Sequence, residues 1–223
     1  MSCTLCGVRK EKRFCPAVHG KICPQCCGEQ REVTLDCPSD CPYLQQARLH
    51  EKPRGENPPG GEVPFPEVEI AEQFLYEQEH LILGLSYALA RSARAERSLD
   101  GHALTDRDLI AALTSLAKSY QTLVQSNLIY EQPTANLAHQ QIAREVETAV
   151  KEFRETELKH LGYSRLRDSD VLQALVFLLR MGMARTSGRP KSRAYIDFLS
   201  SEFPPAQSPL AAPQDAGSRI VLP

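Results

Sequence analysis

All eight cysteines of this 223-residue chain fall between Cys3 and Cys41, and the rest of the chain carries none. They are spaced as Cys3-x-x-Cys6, then Cys15, then Cys23-x-x-Cys26-Cys27, then Cys37-x-x-x-Cys41. A Cys-x-x-Cys pair turns on a short knuckle that brings both sulfurs to about 2.3 Å from one ion, and two such pairs complete a tetrahedral site. Eight thiolates match two closed structural sites with nothing left over. The chemistry expected of Cys3, Cys6, Cys15, Cys23, Cys26, Cys27, Cys37 and Cys41 is therefore the binding of two structural zinc ions. A four-thiolate site keeps no open position for water, which argues against catalytic zinc.

The competing use of cysteines is a disulfide framework, and the residues beside them argue against it. Met1 to Cys6 is followed by Arg9, Lys10, Lys12 and Arg13 with no apolar run, so no signal peptide is expected and the thiols should stay reduced in the cytoplasm. The energetics point the same way. Leu5, Val8, Phe14, Val18, Ile22, Val33, Leu35 and Leu44 are too few to bury a self-sufficient core, and such short segments need crosslinks or metals. Structural zinc supplies apparent binding free energies of roughly 10 to 16 kcal/mol in small fingers, which outweighs that hydrophobic contribution.

The order of these groups resembles the interleaved cross-brace modules, such as the MYND and HIT fingers, in which alternate pairs share an ion. That resemblance implies one zinc on Cys3, Cys6, Cys23 and Cys26 and another on Cys15, Cys27, Cys37 and Cys41. The chain departs from it in having Cys15 alone where those families have a pair. His19 could fill the gap, with Cys23 and Cys27 then forming the third pair and Cys26 unused; otherwise His19 is a surface loop residue. The all-cysteine version avoids leaving an idle thiol beside two sites. Cys15-Pro16, Ile22-Cys23, Cys26-Cys27-Gly28, Arg31, Cys37-Pro38 and Asp40-Cys41 are also similar to the start of a group of uncharacterised bacterial proteins, a likeness that implies no activity. Gly28 is expected to take a positive φ after the double cysteine, Pro38 to open a turn or helix, and Tyr43 to Arg48 to form a short helix.

The elements that must hold this module divide the chain in four: residues 1–50, the zinc-binding module; 51–66, a Pro/Gly-rich linker; 67–203, an α-helical bundle; and 204–223, a disordered tail. The linker's prolines and glycines cannot propagate a helix or ladder, so the two modules are expected to fold separately. Apolar residues Ile70, Phe74, Leu81, Leu85 and Ala88 recur at helical spacing, predicting one long helix from Glu67 to Leu99. Thr105 and Asp108 form a capping box that starts a second, running to about Tyr130. Pro133 precedes a third, which carries Ile142, Val146, Ala149, Val150 and Phe153 on one face and ends at Gly162.

Asp168 is expected to cap a fourth helix, Val171 to Ala184, apolar almost all round and hence the most buried. Gln173 and Arg180 interrupt it, and Arg180 should snorkel or pair with a carboxylate. A short fifth helix spans about Lys191 to Ser201. No segment has the alternation of a strand, and none is apolar for the roughly 18 residues that would cross a bilayer. The fold expected is mainly α, with an antiparallel helical bundle behind the two-zinc module.

Two Glu-x-x-His pairs, Glu77 with His80 and Glu157 with His160, have the spacing of di-iron bundles. His80 points away from the apolar stripe, however, and no central glutamate stands between Asp108 and Glu131. The only thiols are better used as ligands than as nucleophiles, and no phosphate-binding glycine loop is present. The expectation is a non-enzymatic adaptor or regulator whose partner is another protein. The alternative is a nucleic-acid-binding protein using the basic finger loop (Arg9, Lys10, Lys12, Arg13, Lys21) and the basic end of the bundle (Arg185, Arg189, Lys191, Arg193), with Phe14 or Tyr195 stacking on a base. The net charge of −2 suits a solvated, internally balanced surface. A helical enzyme of other chemistry is the third reading.

Overall fold

The computed structural model of the protein describes residues 1–50, 63–94, 103–127 and 136–204. The expectations for linker residues 51–62, for the chain near Leu99 and Pro133 and for residues 205–223 lie outside the described residues. Within them the chain is mainly helical, a small cysteine-rich segment preceding a helical bundle. No described helix is long and apolar enough to cross a membrane.

The cysteine-rich segment contains what the periodicity could not reveal. Strands β1 (Arg13–Cys15) and β2 (Gly20–Ile22) pair antiparallel across a 3-10 turn at Pro16–Val18. Three residues are too few for an alternating pattern to register. Helix α1 (Pro24–Gln30) starts on Cys23, with proline in its first turn, where a missing amide costs nothing. Gly28 lies inside this helix, and the positive φ falls instead on Glu32 (φ 53). There the chain turns back so that the amides of Val33, Thr34 and Leu35 all donate to Gln30 O. Helix α2 (Pro42–His50) follows the last cysteine as expected.

The bundle comprises α3 (Glu72–Glu77), α4 (Glu79–Arg94), α5 (Asp106–Ser126), α6 (Leu137–Leu161), α7 (Asp168–Arg185) and α8 (Ala194–Glu202). Helix α7 lies along α5, α4 lies along α6, and α8 closes one end against α4. Leu85, Leu89, Leu109, Leu113, Ile142, Leu175, Leu178 and Leu179 are fully buried between them, each contributing about 1.5–3 kcal/mol by leaving water. The apolar α7 is the most enclosed element, as its sequence implies.

The first helix departs from expectation in a way that α7 explains. It begins at Glu72 rather than Glu67 and breaks at Gln78. The guanidinium of Arg180 donates to the carbonyls of Pro64 (3.2 Å), Phe65 (2.6 Å) and Val68 (3.0 Å), and Gln173 Nε2 donates to Glu69 O (2.8 Å). The two polar interruptions of α7 thus satisfy a non-helical segment whose carbonyls a helix would otherwise use. Arg180 spends its donors on backbone carbonyls, and among the described residues it forms no ion pair at contact distance with a carboxylate.

Helix ends are also corrected. Helix α5 stops at Ser126 because Asn127 adopts the left-handed conformation (φ 54). The N-cap of α7 is Arg167, whose amide donates to Asp170 Oδ2 (3.0 Å); Asp168 is the first helical residue and takes Arg154 at 2.6 Å. The Thr105 box at α5 forms as expected, its amide 2.9 Å from Asp108 Oδ2. The cysteine-rich segment rests on the bundle: Ser39 Oγ and Arg48 Nη1 lie 2.6 and 2.7 Å from the carboxylate of Asp197 in α8.

Candidate metal centre

Four sulfurs come together, those of Cys3, Cys6, Cys23 and Cys26, all within 4.8 Å of one another. A tetrahedral ion about 2.3 Å from each thiolate needs sulfurs about 3.8 Å apart, so the cluster is of the right size. Cys3 and Cys6 stand on a turn in which Gly7 N donates to Cys3 O and Cys3 N to Arg9 O (2.8 Å each). That turn is fastened to β2 through Thr4, whose amide and hydroxyl both reach Lys21 O. The approach is close enough that a Cβ at Gly20 would stand 2.9 Å from Thr4 Oγ1. Cys23 and Cys26 are supplied by the first turn of α1.

Backbone amides are aimed at these sulfurs. Cys23 N lies 3.2 Å from Cys3 Sγ, and Cys26 N lies 3.4 Å from Cys23 Sγ. Burial pushes the Cys3 thiol up, but the amides of Cys6, Cys23 and Leu5 outweigh it and hold it at about 6. Cys23 is lowered, chiefly by the Cys26 amide, while Cys26 is pushed up to about 12 by its hydrogen bond to Cys23 and by burial. Some sulfurs are prepared as thiolates while crowding makes four anions together unfavourable without a cation. The exposed Arg9 supplies one positive charge, its Nη1 3.9 Å from both Cys23 and Cys26 Sγ. This cysteine cluster could hold a metal ion, and its all-sulfur composition suits a soft, thiophilic one.

Cys15, Cys27, Cys37 and Cys41 are brought to one place but not drawn together as tightly. They line a single small cavity with Ile22, Arg31, Leu35 and Leu44. Burial pushes the Cys37 thiol up, with Cys15 and Cys41 adding to the effect. The adjacent Cys26 and Cys27 separate because consecutive helical residues point about 100° apart: one faces the four-sulfur cluster and the other this cavity.

The remaining candidates find other roles. Cys26 stands in the four-sulfur cluster, whereas the arrangement with His19 would leave it unused. His19 is exposed and ends the 3-10 turn in a left-handed conformation (φ 46). Glu77 and His80 are both exposed. Glu157 caps a loop, accepting from Ser164 Oγ (2.7 Å) and the amides of Arg165 and Leu166, while His160 is exposed in the last turn of α6. Tyr195 is fully buried, its hydroxyl donating to Leu178 O (3.1 Å), so it cannot stack on a base; Phe14 is 56% exposed.

Sequence reasoning missed Glu32, Arg48 and Asp197, which join the cysteine-rich segment to the bundle, and Asp106. The Asp106 carboxylate is wholly buried and accepts from Ser192 Oγ (2.7 Å) and the amides of Tyr195 and Ile196 (3.1 Å each). An acid at the start of a helix reads as an ordinary charge near the dipole, so no local signal marked it. Comparison with protein-family models, with curated proteins and with solved structures finds no match to this chain.

Proposed function

We propose that this chain is a non-enzymatic, cytoplasmic zinc-binding adaptor or regulator that acts by binding another protein. Its cysteine-rich segment is a cross-brace finger held by two structural zinc ions, one on Cys3, Cys6, Cys23 and Cys26 and one on Cys15, Cys27, Cys37 and Cys41. The four sulfurs within 4.8 Å carry this reading, because an all-cysteine tetrahedron is closed to water and substrate and serves to shape a recognition surface. Supporting the second ion is Arg31, whose Nε and Nη1 are buried without a hydrogen-bond partner beside the second set of sulfurs. Thiolates there would answer that charge.

The use of the basic residues favours a protein partner over nucleic acid. Arg9 lies on the sulfurs, Arg13 over the ring of Tyr43 at 4.6 Å, and Arg185 over Phe198 at 3.5 Å. Arg189 and Lys191 are bonded to the finger. These five cations are poorly placed to displace counterions from phosphates, while Lys10, Lys12 and Lys21 of the same loop stay exposed; Val8 and Phe14 leave apolar surface on the finger exposed beside them.

Metal analysis together with a salt series tests the proposal. Purified protein should carry two zinc per chain, and its complex with a co-purifying protein should persist as salt is raised. Binding to nucleic acid that collapses steeply with salt would favour the alternative, and a single zinc would remove the second site.

A further inference from the structure

The bundle grips the finger largely by its main chain. Arg189 Nη1 donates to the carbonyls of Gly28 (3.0 Å) and Arg31 (2.6 Å), and the amide of Lys191 donates to Glu32 O (2.8 Å). Lys191 Nζ reaches Thr34 O (3.0 Å) and Asp36 Oδ2 (2.8 Å). All these acceptors lie between Cys27 and Cys37, two of the thiols that line the second cavity.

Side chains complete the joint from the same loop. Glu32 is 2% exposed, and its carboxylate accepts from Arg48 Nη2 (2.9 Å) and Ser187 Oγ (3.0 Å). Arg48 stands on α2, the helix that starts directly after Cys41, and also holds Asp197. The loop is therefore bounded by cysteines at both ends and clamped by the bundle in the middle.

Arg31 belongs to both halves of this arrangement. Its carbonyl is held by Arg189, while the residue is among those that line the sulfur cavity and its Nε and Nη1 are buried without a hydrogen-bond partner. Arg31 is half-buried, and buried guanidinium nitrogens with unspent donors are unfavourable beside neutral thiols and favourable beside thiolates, the state that sulfurs adopt when they ligate a metal.

We infer that a thiophilic divalent ion on Cys15, Cys27, Cys37 and Cys41 locks the Cys27–Cys37 loop in the shape the bundle grips, so that docking of the finger on the bundle is linked to metal occupancy. The inference rests on the two-zinc reading above. Linkage makes it reciprocal: the ion tightens the joint, and the joint tightens the ion's hold. The first sulfur cluster takes Cys3 and Cys6 from the turn fastened to β2 and shares only α1 with the gripped loop, so it stands further from this coupling.

The test uses the full-length, zinc-loaded chain and is read from both ends. Replacing Ser187→Ala and Arg189→Ala touches no cysteine; one of two zinc ions should then transfer to a chromogenic chelator about tenfold faster, within the usual range of coupling between sites, while the other keeps its rate. Conversely, Cys37→Ser with Cys41→Ser should abolish hydrogen-exchange protection at the Lys191 amide and leave the amides of Leu175 to Leu179 protected. Unchanged release in the first variant overturns the coupling, even if the second fails to fold. Unchanged Lys191 protection in a variant confirmed to hold one zinc overturns it too. A wild-type chain that holds one zinc overturns the two-site reading and the coupling with it, which separates that failure from the others.

Discussion

Arg180 Nη2 donates to the carbonyl of Phe65 at 2.6 Å, and Phe65 itself sits at φ 53. A cation in the enclosed helix α7 thus fixes a left-handed, non-glycine residue more than a hundred positions earlier in the chain. Replacing it by Arg180→Met should keep the stem's packing but free three carbonyls, at a cost of about 1–3 kcal/mol. Denaturant unfolding should show the loss, and limited proteolysis should cut near residues 63–71. A variant as stable and as resistant as the parent would mean that the segment holds itself.

Asp106 satisfies the amides of Tyr195 and Ile196 and the hydroxyl of Ser192 from a position with no exposure. Asp106→Asn keeps the shape while turning part of the acceptor into a donor, which leaves buried amides unmatched; the expected loss is roughly 2–4 kcal/mol. The effect should appear as a lower Tm and as faster exchange in α8, with α6 spared.

Gly182 provides room for the ring of Tyr195. A Cβ there would stand 2.8 Å from Cε1 and 3.0 Å from Cδ1, so Gly182→Ala should destabilise by about 1–3 kcal/mol through overpacking, although alanine favours helix in general. A variant stabilised in thermal unfolding would show that the ring yields freely.

Acid should strip the tight cysteine cluster. The Cys3 thiol is held at about 6, below its ordinary 9.0. Because the folded value is the lower one, the contribution to stability is complete above the ordinary value and is lost as pH falls through about 6. Protons then compete with the ion. Cobalt-substituted protein should keep its thiolate-to-metal absorption at neutral pH and lose it only on acidification below about 6, while the helical signal persists; loss already at neutral pH would contradict the amide-stabilised thiolate.

How much of this was legible in the sequence depended on whether the cause was local. The Cys-x-x-Cys pairs are local, and the cluster of Cys3, Cys6, Cys23 and Cys26 was named from spacing and resemblance together. Helices α5 to α7 carried their own capping residues and apolar stripes, so their existence was readable and their ends nearly so. The late start of the first helix was not, because it depends on Arg180 and Gln173 reaching across from α7. Nor was the contact between modules: a chain broken by prolines and glycines suggests separate bodies, and only the folded arrangement brings Glu32 to Ser187. Gly28 shows the same limit in miniature, since the turn it was expected to make falls four residues later, on Glu32.

Arg189 and Lys191 recognise the carbonyl oxygens of Gly28, Arg31, Glu32 and Thr34, atoms that all residue types possess. The cysteine-rich segment could therefore exchange many of its side chains along that stretch, adopting a new outward chemistry, without losing its seat. With Glu32 and Asp36 kept for Ser187 and Lys191, variation elsewhere on that stretch is tolerated because the other contacts read only the backbone, and a segment built that way can be re-dressed while its architecture stays put.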